Sequence, residues 1–208
     1  MQQGMKIKTG RMSLRVALVA MAAALTLGLF TGCGIQSIPM AKNEVDATLA
    51  EVMNQYKRRS DLIPNLVETV KGFAKQENST LVAVTEARAK ATSMNIDPSK
   101  ATPDQIEKFS AAQGQLSQAL GRLLVVSENY PQLKSDANFR DLQAQLEGTE
   151  NRITVARQRY IESIKTFNNL VTVFPTSFTN SIMFHHAPMP QFGNDMTEDE
   201  KKAPAVKF

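Results

Sequence analysis

Residues 139–174 read FRDLQAQLEGTENRITVARQRYIESIKTFNNLVTVF. Within them Phe139, Leu142, Leu146, Thr149, Ile153, Ala156, Tyr160, Ile164, Phe167, Val171 and Phe174 recur at spacings of three and four. That rhythm puts them on one face of a helix with 3.6 residues per turn. At 1.5 Å per residue such a helix is about 57 Å long. Pro175 ends it, and Ser135 or Asp136 is placed to cap its start after a turn over residues 131–136. Upstream, Ile106, Phe109, Gln113, Leu116, Leu120, Leu123, Ser127 and Tyr130 repeat the pattern. Their start signal is Thr102-Pro103-Asp104-Gln105: a capping threonine, proline at the first helical position, an early acid, and glutamine three residues after the cap.

Two further stripes precede these. Val45, Leu49, Val52 and Tyr56 form the first, in a helix expected from Asn43; Leu66, Val70, Phe73, Glu77, Leu81, Val84, Ala87 and Ala91 or Met94 form the second. Pro64 lies between them, so a kink or restart is expected over residues 59–64, with Ser60 or Asp61 as the new cap. Asp97-Pro98 ends the second stripe. No run of period two is sustained anywhere, so the predicted fold is all-α. Short links favour antiparallel neighbours, which gives an elongated antiparallel up-and-down four-helix bundle over residues 43–184, with the first two helices possible as one kinked long helix. Phe178, Ile182 and Phe184 are expected to add a short apolar piece against one end. Residues 185–208, rich in proline and charge, read as a mostly disordered tail.

The chain has 208 residues, 42% hydrophobic, which suits one domain with a core of its own. Its single cysteine excludes an intrachain disulfide and a thiolate zinc cluster. The 24 basic residues exceed the 20 acidic ones only because Lys6, Lys8, Arg11 and Arg15 sit in a leader without acids; from residue 33 onward the charges balance. A nucleic-acid partner is therefore not expected. The leader continues into VALVAMAAALTLGLF over residues 16–30. Fifteen helical residues reach about 22 Å, short of the roughly 30 Å hydrocarbon core, so residues 1–32 read as a secretory signal rather than a stable transmembrane helix. Cations ahead of the apolar run send the remainder out of the cytoplasm in either case.

Thr31-Gly32-Cys33 resembles the lipobox of bacterial lipoproteins, although Phe30 stands where an aliphatic residue is usual. That resemblance implies acylation at Cys33, with residues 33–42 as a linker. Gly34, in place of the aspartate that retains lipoproteins at the inner membrane, implies the periplasmic face of the outer membrane; the alternative is a single-pass inner-membrane protein.

RRSDLIPNLVETVKGFAKQENSTLVAVTEARAKA, residues 58–91, resembles the signature region of the LemA family. YPQLKSDANFRDLQAQLEGTENRITVARQRY at 130–160, FN at 167–168, FP at 174–175 and APAVKF at 203–208 resemble its later blocks in order. The resemblance implies a membrane-anchored, extracytoplasmic helical bundle and brings no catalytic residues. Two departures stand out: many members keep an uncleaved N-terminal helix, and Tyr160 is followed by Ile161 where the family usually has asparagine.

The chemistry of the side chains is sparse. His185 and His186 are the only histidines, adjacent and without a partner motif for a metal; no phosphate loop, nucleophile elbow or Glu-x-x-His pattern occurs. No catalytic residue, cofactor or metal is expected. The densest polar feature is Lys57-Arg58-Arg59 with Asp61, Asn65 and Glu68; Arg58, Arg59, Asp61, Asn65 and Glu68 form the candidate interaction surface. The same cations can instead cap a helix end or cross-link neighbouring helices. Gln113, Ser127, Thr149 and Glu77 interrupt apolar stripes, which fits register-setting hydrogen bonds or, as the alternative, a polar pocket inside the bundle. The expected function is a non-enzymatic, membrane-tethered scaffold that binds an envelope protein. The alternatives are a carboxylate-based enzyme and a small-ligand or lipid-binding bundle, the last requiring a cavity of several hundred Å³, about the usual pocket size.

Overall fold

A computed structural model describes residues 35–74 and 76–190, with Met21 ahead of them. The leader with Cys33 and the tail beyond residue 190 lie outside the described residues. Among these the chain is helical with no strand. The α-helices are α1 (Ser37–Phe73), α2 (Asn78–Thr92), α3 (Pro103–Ser127), α4 (Pro131–Ser135), α5 (Ala137–Thr172) and α6 (Thr176–Thr179). A 3-10 turn spans Pro98–Lys100 and a π-helical turn Asn180–Phe184. The arrangement is not one of four comparable helices. Helices α1 and α5 run for 37 and 36 residues, roughly 55 Å each, whereas α2 and α3 cover only part of that length.

Helices α1 and α5 are antiparallel, since Thr48 bonds Ser163 at one level and Arg59 bonds Glu150 further along. Two cores form along them. At the broad end Ile63, Leu66 and Val70 of α1, Leu81 and Val84 of α2, Leu116 and Leu123 of α3, and Phe139 and Leu142 of α5 pack together. At the narrow end Ile38, Val45, Leu49 and Val52 of α1 face Ile153, Ile164, Phe167 and Val171 of α5, with Met94, Ile96, Ala101, Ile106, Phe109, Phe184 and Met189 closing the sides.

Several local expectations hold. Thr102 caps α3 by accepting from Gln105 N–H at 3.3 Å, while the Gln105 side chain accepts from Thr102 N–H at 3.0 Å. Asp136, not Ser135, caps α5 by accepting from Phe139 N–H at 2.9 Å. The α5 stripe from Phe139 to Val171 is buried throughout. Helix α1 starts at Ser37, ahead of the expected Asn43, because Ile38 and Ala41 continue the stripe of Val45 inward.

Of the kink or restart expected at residues 59–64, the restart does not occur, and the first two stripes share one long helix as far as Phe73. Helix α1 passes through Pro64 and ends at Phe73, just after Gly72, and the next helix begins at Asn78. Proline lacks the N–H that would bond the carbonyl four residues back. Here that carbonyl, on Ser60, accepts instead from Arg88 Nε of α2 at 2.8 Å. A neighbouring helix supplies the missing donor, so the helix needs no restart. Ser60 is accordingly no cap; it is 1% exposed. Phe174, Phe178 and Ile182 are also placed differently from expectation. They lie at the surface, because α5 stops at Thr172 and the following turn carries them beyond the reach of the core; of that group Phe184 alone packs against it.

Candidate functional site

Four of the five residues of the expected surface lie in one register. Arg58, Asp61, Asn65 and Glu68 are spaced by three, four and three, and all are exposed along one stripe of α1. Glu68 pairs with Lys71 at 3.5 Å, and the Asn65 carbonyl accepts from the Thr69 hydroxyl at 2.8 Å. Arg59 does not belong to that surface. One residue further round the helix it turns inward and is 2% exposed.

Burying a guanidinium is costly unless its donors are matched. Arg59 Nη1 donates to Ser117 Oγ at 2.8 Å and to Glu150 Oε2 at 3.0 Å. Its Nη2 donates to Gln113 Oε1 at 2.8 Å and to the Gln113 carbonyl at 3.2 Å. The guanidinium also lies 5.0 Å from the centroid of the Tyr56 ring, whose face attracts a cation. Tyr56 meets Phe109 edge-on at 5.3 Å. Burial pushes the Tyr56 phenol pKa up, opposed by the positive charges of Arg157 and Arg59. One side chain of α1 thereby ties together α3 and α5 at the junction of the two cores. Gln113, a polar residue on an apolar stripe, is its partner, and it hydrogen-bonds across from α3 to α1.

On the other flank of this junction a cleft of about 410 Å³ opens between α1, α2 and α3. Lys57, Asp61 and Arg88 give it charge, while Tyr56, Met94 and Phe109 supply apolar wall. The Ser60 hydroxyl, buried in its lining, has no hydrogen-bond partner. A smaller groove of about 250 Å³ lies between α3 and α5, floored by Leu66, Leu120, Leu124 and Leu146 and edged by Glu147 and Glu150. These two acids are engaged separately, Glu150 by Arg59 and Glu147 by Gln143 at 3.1 Å. Among the described residues no group of three or more His, Cys, Asp or Glu is arranged to hold a metal ion. His185 occupies the left-handed turn after the π-helical segment, and His186 stacks on Phe184 at 6.0 Å.

The sequence flagged Lys57, Asp61, Arg59 and Gln113 but gave no reason to join them to Arg88, Ser60 or Ser117. One signal for Arg88 existed: a proline inside a helix requires a foreign donor for the carbonyl four residues earlier. The residue that answers is 28 positions away and cannot be identified from spacing.

The LemA family model matches residues 48–208. Protein LemA of Metamycoplasma hominis is 24% identical over 156 residues, covering 74% of this chain and 68% of that protein. Magnetosome protein MamQ of Magnetospirillum gryphiswaldense is 26% identical over 166 residues, covering 66% of this chain and 59% of its own length. Magnetosome protein MamQ 2 of Paramagnetospirillum magneticum is 27% identical over 149 residues, covering 62% and 53%. The chain thus spans about two thirds of the first relative and little more than half of the magnetosome proteins.

Proposed function

The chain belongs to the LemA family, and from that membership we propose that it is a non-enzymatic, extracytoplasmic module fastened to an envelope membrane by its N-terminus. Residues 1–32 direct export, Cys33 carries the lipid, residues 33–42 link it to the body, and residues 185–208 form a tail. The body acts as an elongated antiparallel helical bundle that presents a rigid face to another envelope protein. The outer membrane, facing the periplasm, is its place. The observation that carries this reading is the leader: four cations, fifteen uncharged residues and then a lone cysteine after two small residues. Among the described residues no helix is long and apolar enough to cross a membrane. The exposed Arg58, Asp61, Asn65 and Glu68 stripe supports the contact face, since it carries both signs of charge on a helix stiffened from behind by Arg59.

Two measurements test it. Intact mass of membrane-extracted protein is expected to start at Cys33 with acyl additions; a mass retaining residues 1–32 replaces the lipid anchor by a spanning helix. Photo-crosslinking in cells from Asn65 is expected to capture an envelope protein. A strictly monomeric protein with no adduct from any position of the stripe would sink the scaffold role.

The cleft beside Ser60 favours a second reading, a small polar-headed ligand held between α1, α2 and α3. Its volume lies within the usual range for ligand sites, and an unpaired buried hydroxyl is a group a ligand would satisfy. Native mass spectrometry is then expected to find a co-purifying adduct; a bare polypeptide mass after gentle extraction overturns it.

A further inference from the structure

The narrow end carries a second surface. Thr48 faces Ser163, so ten residues back along α1 and ten forward along α5 bring Ile38 level with position 173. At that level and below it the chain exposes large apolar side chains: Met40 at 67%, Phe174 at 75%, Phe178 at 62% and Ile182 at 59%, with Val173 and Met183 beside them. Exposed apolar residues scattered singly are ordinary, but Val173, Phe174, Phe178, Ile182 and Met183 fall within one short stretch of chain, and such a dense group marks a contact.

This group is held on a built platform. Asn180, 7% exposed, accepts from His186 N–H at 3.0 Å through Oδ1, and its Nδ2 donates to the His186 carbonyl at 2.9 Å and the Val171 carbonyl at 3.4 Å. Asn168 bridges both backbone groups of Met189, at 2.8 and 2.7 Å. The two asparagines fold residues 173–189 back against the end of α5, and the tip then presents Phe174, Phe178 and Ile182 outward.

Charge and tether length indicate what covers this tip. No Asp, Glu, Lys or Arg occurs from Thr166 through Asn194, nor from Val16 through Ala41, although such residues make up 21% of the chain. The described residues at this end, 35–41 and 166–190, are thus uncharged, unlike the polar rim that usually surrounds a protein–protein contact. Helix α1 starts at Ser37, four residues after Cys33. Four residues extend at most about 14 Å, and the seven from Phe30 at most about 25 Å. A body fastened at either point cannot lift this end far from the headgroups.

We propose that the tip formed by Phe174, Phe178 and Ile182 is a foot that inserts into the phospholipid bilayer to which the leader is fastened, and so holds the long helices at a fixed angle to the membrane. The proposal rests on the anchoring reading above. Apolar side chains at a membrane surface settle roughly 5–10 Å into the headgroup and acyl boundary, and a tether supplies the local concentration that a small patch lacks. Apart from the anchor itself, the contact is non-covalent.

The chain has no tryptophan, so Phe178→Trp and, at the broad end, the equally exposed Val125→Trp each give a single fluorophore. Full-length, processed protein is reconstituted in phosphatidylethanolamine–phosphatidylglycerol vesicles and separated by flotation. The Phe178→Trp emission is expected to shift to shorter wavelength and to be quenched by lipids brominated high in the acyl chain, while Val125→Trp emits as in water and is not quenched. Protein that floats with an aqueous, unquenched signal at position 178 overturns the foot and leaves the anchor intact. Blue-shifted emission untouched by brominated lipid shows a protein cover, such as a second copy, and also overturns it. Failure to float refutes the anchor and the foot together.

Discussion

The two ends of the molecule reach stability by different means. At the broad end parts of α1, α2, α3 and α5 enclose a core in which Ile63, Leu66, Leu116, Leu123 and Phe139 lose nearly all contact with water. The narrow end has only α1 and α5 along most of its length, and two helices cannot surround their own interface. Its centre therefore includes groups that tolerate partial hydration: Thr48 hydrogen-bonded to Ser163 at 2.8 Å, and the tyrosines Tyr56 and Tyr160. The contrast teaches that continuous helices carry order from a self-sufficient core into a region that could not hold its shape alone.

The largest expected effect separates the two ends directly. Phe139→Ala and Phe167→Ala each remove a fully buried ring and are expected to cost about 3–5 kcal/mol in urea unfolding. Hydrogen exchange distinguishes them: Phe139→Ala should deprotect the whole length, Phe167→Ala chiefly residues 38–56 and 153–171. Equal deprotection patterns would erase the distinction drawn here.

The junction comes next. Arg59→Ala is expected to destabilise by about 2–4 kcal/mol, because it strands the buried Gln113 groups and removes the packing on Tyr56. Glu150→Gln should cost only about 1 kcal/mol, since Glu150 is 57% exposed and Arg59 keeps Ser117 and Gln113. Matching losses in thermal unfolding would mean that the ion pair, not the hydrogen-bond set, is what matters.

Alkaline pH is expected to act on the narrow end. Burial, with a smaller contribution from the Asp46 charge, pushes the Tyr160 phenol up to about 12, and the unfolded chain ionises near the usual 10. Between these values the unfolded state releases its proton first, so the stabilisation is complete below about pH 10 and is lost as pH rises toward 12. The loss amounts to roughly 2–3 kcal/mol. Tyr160→Phe should flatten that decline in helicity-monitored unfolding; an unchanged slope would assign it elsewhere.

A double-mutant cycle probes the proline crossing. Arg88→Ala is expected to cost about 1–2 kcal/mol while Pro64 is present, and far less after Pro64→Ala restores a backbone donor for the Ser60 carbonyl. Additive effects would show that Arg88 does not replace the missing bond. The smallest change is Thr102→Ala, expected at about 1 kcal/mol from loss of the α3 cap.

Most of the helical framework was legible in the chain. The stripe from Phe139 to Val171 carries its own period, and Thr102 with Gln105 forms a capping arrangement that depends on residues three apart. The candidate site was legible in part. Arg58, Asp61, Asn65 and Glu68 follow from helical spacing, but nothing near Arg59 announces that it, rather than Arg58, points into the core. That choice depends on where Gln113, Ser117 and Glu150 arrive from distant segments.

Local sequence thus determined the all-helical class, the cap at Thr102, and the uncharged character of residues 166–194, because each depends on residues within a few positions of one another. Tertiary structure alone decided that α1 runs through Pro64, that Arg59 is buried, and that Phe174 and Phe178 remain outside the core. In the first two cases a polar group is satisfied by a partner from another helix, and in the third an apolar face finds no other helix to cover it. Periodicity assigns a residue to a face; only packing decides what that face meets.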